Sequence, residues 1–164
     1  METNRRNFDR IDLTILRTLQ RNAAQRLEDI ARVTKLASSS VHERLRRLER
    51  DGVIRNWTIN VDAELLGLGV LAYMGVTASK PCSELLQALG EVSAIEECHS
   101  VAGEWSLLLK VRTSSTAELL ALSERLRQIS GIEGTTTTIV LKTHMDRPAP
   151  IPEIKREAGR KASR

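Results

Sequence analysis

Residues 37–54 read ASSSVHERLRRLERDGVI. Val41, Leu45 and Leu48 share one narrow stripe when a helix is projected at about 100° per residue. Ser39, Glu43, Arg46, Arg47 and Arg50 fall on the opposite side, with Ser40 and Arg44 on the flank. The pattern predicts a helix over about Ser39–Asp51 that buries one face and turns a basic face outward. Gly52 follows, where glycine suits the left-handed backbone past a helix end.

Two shorter helices precede it. Asp9 can cap the first, with Asp12 three residues on as a short-armed capping box and Phe8 and Leu13 as the hydrophobic staple. Ile11, Ile15, Leu16 and Leu19 follow at helical spacing. The second reads from about Leu27 to Val33, and Thr34–Ala37 reads as a turn. Three short helices, the last arginine-rich, fit a helix-turn-helix DNA-binding unit over residues 1–62.

Downstream of Gly52 the period changes. Val53–Val61 alternates from Arg55 onward and predicts a strand. Residues 63–69 serve as a linker. Residues 70–146 read as strand (Val70–Ala78), helix (about Cys82–Glu91), strands (Ala94–Val101 and Trp105–Thr113), helix (Thr116–Ile129) and strand (about Gly134–Thr143). This βαββαβ order places two helices on one face of a four-stranded antiparallel sheet. The predicted class is therefore α+β. Residues 147–164, with Pro148, Pro150 and Pro152 and mixed charge, read as a basic, mobile tail.

The charge divides along the chain. Residues 1–66 hold 13 Lys/Arg and 10 Asp/Glu, residues 67–146 hold 6 and 9, and residues 147–164 hold 6 and 2. A basic first third makes nucleic acid a plausible partner, because phosphates attract Lys and Arg whatever the base sequence. A recognition helix puts its N-terminal residues on base edges in the major groove. Ser38, Ser39 and Ser40 occupy those positions, and Arg44, Arg46, Arg47 and Arg50 are the candidate guanine or phosphate contacts. The bland alternative makes Glu43, Arg47 and Arg50 solvated pairs on a helix surface.

Other chemistry is thinly represented. No apolar run approaches the roughly 18 residues of a membrane span. METNRRNFDR lacks a signal-peptide core, so a cytoplasmic location is expected. Cys82 and Cys98 lack metal-ligand spacing. Cys98 and His99 are adjacent on a strand and point to opposite faces, so they cannot chelate together. No acid–base pair or nucleophile triad stands out, which argues against an enzyme, a cofactor and a metal.

FDRIDLTILRTLQ, ASSSVHERLRRLERDGVI and CHSVAGEWSLLLKV, in that order from about Phe8 to Lys142, resemble landmarks of the Lrp/AsnC transcription regulators. The resemblance implies a winged helix-turn-helix followed by a ferredoxin-like ligand-sensing domain. It implies double-stranded DNA and an amino-acid effector as partners, with homodimers that stack into octamers. The effector loop then falls at Ala102, Gly103, Glu104, Trp105 and Ser106, and a Thr-x-Thr feature at Thr135 and Thr137. Three positions depart from the family pattern: Lys35 where glycine is usual, Ala37 where a serine cap is usual, and Ser106 where aspartate is frequent. The expected function is a sequence-specific, ligand-responsive regulator. The alternative is an architectural, nucleoid-type protein with little ligand control.

Overall fold

The computed structural model describes residues 8–153. The chain forms two compact units. One runs to Asn60 and includes the stretch from Asp146 onward, and the other is Val61–Met145.

The first unit contains α1 (Arg10–Arg21), α2 (Leu27–Thr34) and α3 (Ser38–Arg50). The predicted capping box is present at α1. Asp9 Oδ1 accepts from the Asp12 N–H at 2.8 Å, and Asp12 Oδ2 accepts from the Asp9 N–H at 3.2 Å. Ile15, Leu19, Ile30, Ala31, Val41 and Leu48 form the core, and Leu45 packs against it half-buried. Val41 and Leu48 are thus the inward stripe that the helical period demands.

Lys35 closes α2 in the left-handed region, at φ 57 and ψ 37, with the Leu36 N–H returning to the Ala31 carbonyl at 3.0 Å. That conformation normally favours glycine, because an L side chain crowds the backbone there. Gly52, at φ 70, ends the turn beyond α3 as expected. α3 begins at Ser38, and its cap, Ala37, supplies no side-chain bond.

Two expectations need correction. Residues 53–61 form no strand in the described chain. A strand requires a ladder partner, and no strand among the described residues pairs with this segment. Trp57 instead donates its indole N–H to Glu49 Oε1 at 2.6 Å. Nor are residues 147–153 a free extension. Gln20 Nε2 donates to the Ala149 carbonyl at 2.8 Å, and Arg17 Nη2 to the Pro152 carbonyl at 2.7 Å. Prolines fix φ, so this segment gives up little entropy on docking. The remaining tail residues, 154–164, lie outside the described residues.

The second unit contains β1 (Val70–Ala78), α4 (Cys82–Gly90), β2 (Ile95–Ser100), β3 (Leu107–Thr113), α5 (Thr116–Arg127) and β4 (Ile132–Ile139). The sheet order is β2-β3-β1-β4, antiparallel throughout. Ala72, Met74 and Val76 of β1 and Leu107, Leu109 and Val111 of β3 point to the same side. They pack with Leu85 and Leu89 of α4 and Leu119, Leu122 and Leu126 of α5. The opposite sheet face carries Tyr73, Gly75, Leu108 and Lys110. β4 lies two residues earlier than expected at its start and ends at Ile139. It pairs with β1 from Ala72 to Ala78, with an irregularity at Thr77/Ala78.

Candidate DNA interface and effector site

α3 is fastened to the start of α1 by charge. Asp12 is 1 % exposed. Its Oδ1 accepts from Arg44 Nη1 at 2.8 Å and its Oδ2 from Arg47 Nη2 at 2.6 Å. Arg44 Nη1 also meets Asp9 Oδ2 at 2.6 Å. Burial works against the Asp9 charge, but the Asp12 N–H and the Arg44 guanidinium outweigh it and hold the Asp9 carboxyl below its ordinary value. The hydrogen bonds that Arg44 donates to Asp9 and Asp12 raise its own pKa in turn. Two of the four candidate arginines therefore have structural partners inside the unit.

Arg46 and Arg50 are different. Both are exposed, and neither has a hydrogen-bond or ion-pair partner among the described residues. With Ser40, Glu43, Arg44, Arg47 and Leu36 they line a groove of about 470 Å³ along α3. Ser39 is exposed at the first turn of α3, while Ser38 and Ser40 are half-buried. Exposed His42 completes the outer face at i−4 from Arg46. It was missed because a single histidine carries no motif, although its place on the helix period was available. The result is a helix tied to the start of α1 by carboxylates, with the exposed Ser39 and the guanidinium groups of Arg46 and Arg50, unpartnered among the described residues, on its outer side. Such a surface is suited to phosphates and base edges.

The candidate effector residues occupy two places in the second unit. Ala102, Gly103 and Glu104 form the exposed β2–β3 turn, with Gly103 at φ 142. Ser106 is integrated into the sheet margin. Its N–H donates to the Val76 carbonyl at 2.9 Å, and its Oγ accepts from the Ala78 N–H at 3.3 Å. Trp105 lies across Gly75, so closely that a Cβ at Gly75 would stand 2.3 Å from the indole Cδ2. Its buried Nε1–H has no partner among the described residues.

Thr135 and Thr137 lie elsewhere. Thr135 is opposite Val76 and Thr137 opposite Met74, so both share the helix-covered face. Thr135 Oγ1 bonds with Ser123 Oγ at 2.9 Å and accepts from Arg127 Nε at 3.0 Å. Gly75, beneath Trp105, belongs to the other face. Within one chain the structure groups Ala102–Ser106 at the β1–β3 end and sets the two threonines apart from Trp105.

On that outer face Lys110 pairs with Glu96 at 3.2 Å and Glu97 at 3.0 Å, and Arg112 pairs with Glu96. Burial opposes the Glu96 charge, but hydrogen bonds from Arg112 and Lys110 prevail and lower its pKa. Hydrogen bonds from His99 and Lys110 lower that of Glu97. Among the described residues no His/Cys/Asp/Glu cluster could hold a metal ion, and no helix is long and apolar enough to cross a membrane. Cys82 and Cys98 are free thiols.

Residues 8–55 match the winged helix-turn-helix DNA-binding family, and residues 71–150 match the Lrp/AsnC ligand binding domain. The chain is 38% identical over 141 residues to the HTH-type transcriptional regulator FL11 of Pyrococcus horikoshii, covering 85% of this chain and 93% of that protein. It is 32% identical over 138 residues to the HTH-type transcriptional regulator LrpA of Mycobacterium tuberculosis, covering 83% and 91%. Among solved structures, the feast or famine regulatory protein of M. tuberculosis, complexed with L-methionine, superposes with a TM-score of 0.83 at 31% identity. That match covers 89% of this chain and 100% of the other. The chain belongs to the Lrp/AsnC family and is a DNA-binding transcriptional regulator, not an enzyme.

Proposed function

We propose that the protein is a sequence-specific regulator that reads double-stranded DNA with α3 and changes DNA occupancy in response to an amino acid. The observation that carries the first half is the division of labour among the α3 arginines. Arg44 and Arg47 hold the helix in place through Asp12, while Arg46 and Arg50 stand exposed, without a partner among the described residues. Ser38, Ser39 and Ser40 at the helix start take phosphate or base edges, and Arg46 reads a base. Two such units in a homodimer meet half-sites about one DNA turn (~34 Å) apart, or a multiple of it.

The second half rests on a relative. The M. tuberculosis regulator superposed above is complexed with L-methionine. In this chain the effector loop is Ala102–Ser106, and the unsatisfied indole N–H of Trp105 supplies a donor there. Thr135 and Thr137 face the other side of their own sheet. If they take part, they do so in another copy's site, which favours a ligand held between chains of a homodimer or an octamer. Ser106 provides no carboxylate for a ligand ammonium group, so selectivity differs from relatives with aspartate at that position. The linkage is thermodynamic: an effector that prefers one assembly raises its population and shifts DNA occupancy with it. The expected compartment is the cytoplasm, where the DNA is.

Fluorescence anisotropy on DNA from upstream of the protein's own gene tests this reading, with and without a pool of the twenty amino acids at one salt concentration. A midpoint that moves with the pool supports it, and splitting the pool identifies the effector. A midpoint that stays put, with equal binding to scrambled DNA, supports the architectural alternative.

A further inference from the structure

α3 carries two carboxylates, Glu43 and Glu49. They differ in what holds them. Glu49 Oε1 accepts the Trp57 indole N–H at 2.6 Å. Glu43 is exposed and lines the groove along α3 beside Ser40, Arg46, Arg47 and Arg50. It has no hydrogen-bond or ion-pair partner among the described residues. Helical spacing offers it Arg46 at i+3 and Arg47 at i+4. Neither takes it up. Arg47 Nη2 is bound to Asp12 Oδ2 at 2.6 Å, and Arg46 stands exposed without a partner among the described residues. The carboxylate is therefore not half of a surface pair, although guanidinium groups line the same groove.

An ionised carboxylate only accepts hydrogen bonds. Phosphate oxygens repel it, and so do the acceptors of guanine and thymine in the major groove. What it can bind there is an exocyclic amino group, and the usual partner of Glu is cytosine N4. A surface of serines and arginines alone holds phosphates of any sequence. A carboxylate among them disfavours every register in which no amino group meets it. Glu43 is the sixth of the 13 residues of α3, in the half of a recognition helix that reaches base edges. Arg46 follows about 4.5 Å further along the helix axis. Successive base pairs are about 3.4 Å apart, so the two side chains meet neighbouring pairs.

We propose that Glu43 is a specificity-determining residue of α3, accepting from the N4 amino group of a cytosine next to the guanine that Arg46 takes. The proposal rests on the DNA-reading function above and deepens it by naming a base.

The test selects full-length protein on a pool of duplexes with a randomised centre. It compares the unmutated protein with Glu43→Ala and Glu43→Gln and then measures affinities for the recovered site and its single-base variants. Circular dichroism checks the fold of each variant. The unmutated protein is expected to enrich cytosine at one position per half-site, within one or two pairs of a guanine. Replacing that cytosine should weaken binding by about five- to 150-fold. Glu43→Ala should level the four bases at that position and keep the preferences elsewhere. A Gln amide both donates and accepts and pairs with adenine N6 and N7. Glu43→Gln should therefore move the preferred base there from cytosine to adenine. The same site with the same penalties in all three proteins overturns the role of Glu43 and leaves reading by α3 standing. So does a loss in Glu43→Ala that is uniform over all positions. Control of a base other than cytosine overturns the assigned contact. No enriched position with the unmutated protein overturns sequence-specific reading and this proposal with it.

Discussion

Asp12, at the start of α1, receives Arg47 of α3 in a 2.6 Å hydrogen bond across 35 residues of chain. The same carboxylate serves the α1 capping box and binds Arg44. One buried group thus fixes both the entry of the first helix and the position of the reading helix. Replacing it by alanine leaves Arg47 with no carboxylate and removes half of the cap. Breaking a buried pair costs about 3–5 kcal/mol, but these guanidinium groups can rehydrate from the surface, which reduces the penalty. Asp12→Ala should therefore destabilise the first unit by about 2–3 kcal/mol in urea denaturation. A loss below about 0.5 kcal/mol would mean that apolar packing alone positions α3.

Acid should act through the neighbouring carboxyl. Asp9 ionises more readily in the fold than at its ordinary value of 3.8. A carboxyl whose pKa is depressed by folding stabilises the fold above the unfolded value, and that contribution fades as pH falls through the folded value. Stability of the first unit should be flat with respect to this group above about pH 5 and decline below about pH 4. Arg44→Ala should flatten that acid decline, as read by denaturation at stepped pH. An identical acid limb in the variant would show that Arg44 does not set the Asp9 charge.

Lys35 carries backbone strain. A left-handed conformation costs an L residue about 1–2 kcal/mol, partly offset by the greater chain entropy that glycine loses on folding. Lys35→Gly should raise stability by about 0.5–1 kcal/mol and sharpen the α2–α3 turn. A lower melting temperature would show that the lysine side chain makes a stabilising contact that outweighs its φ.

The contact of Trp105 with Gly75 leaves no room for a methyl group. Gly75→Ala must displace the indole, at about 1–3 kcal/mol for overpacking. In a Trp57→Phe background, Trp105 emission should shift to the red and any amino-acid response should weaken. DNA affinity in the absence of effector should stay within about threefold, because α3 lies in the other unit. An unshifted spectrum would mean that the ring is not held against β1.

Local signals were legible where one residue decides one feature. Asp9 and Asp12 announced the first helix, Gly52 the end of the third, and the strand expected over Trp105–Thr113 is observed over Leu107–Thr113. The reading faltered where the deciding partner is distant in sequence. Nothing near Arg44 or Arg47 in the sequence indicates that both pair with Asp12. Residues 53–61 have a strand's alternation but no ladder partner among the described residues. The prolines after Arg147 suggested a free tail, because the Arg17 and Gln20 side chains that hold it lie 135 and 129 residues away. Thr135 and Thr137 were placed by motif, but their strand face follows only from the β1–β4 register.

On the function proposed above, α3 reads sequence through Arg46, which is exposed and has no partner among the described residues. The most direct measurement is the ratio of dissociation constants for scrambled and upstream DNA at one salt concentration, for the unmutated protein and for Arg46→Ala. A clear preference for the upstream DNA is expected, and the variant should lose about 1–3 kcal/mol on that DNA and less on the scrambled duplex, with an unchanged circular dichroism spectrum. Equal affinity of the unmutated protein for both duplexes, or a preference that survives in Arg46→Ala undiminished, would contradict it.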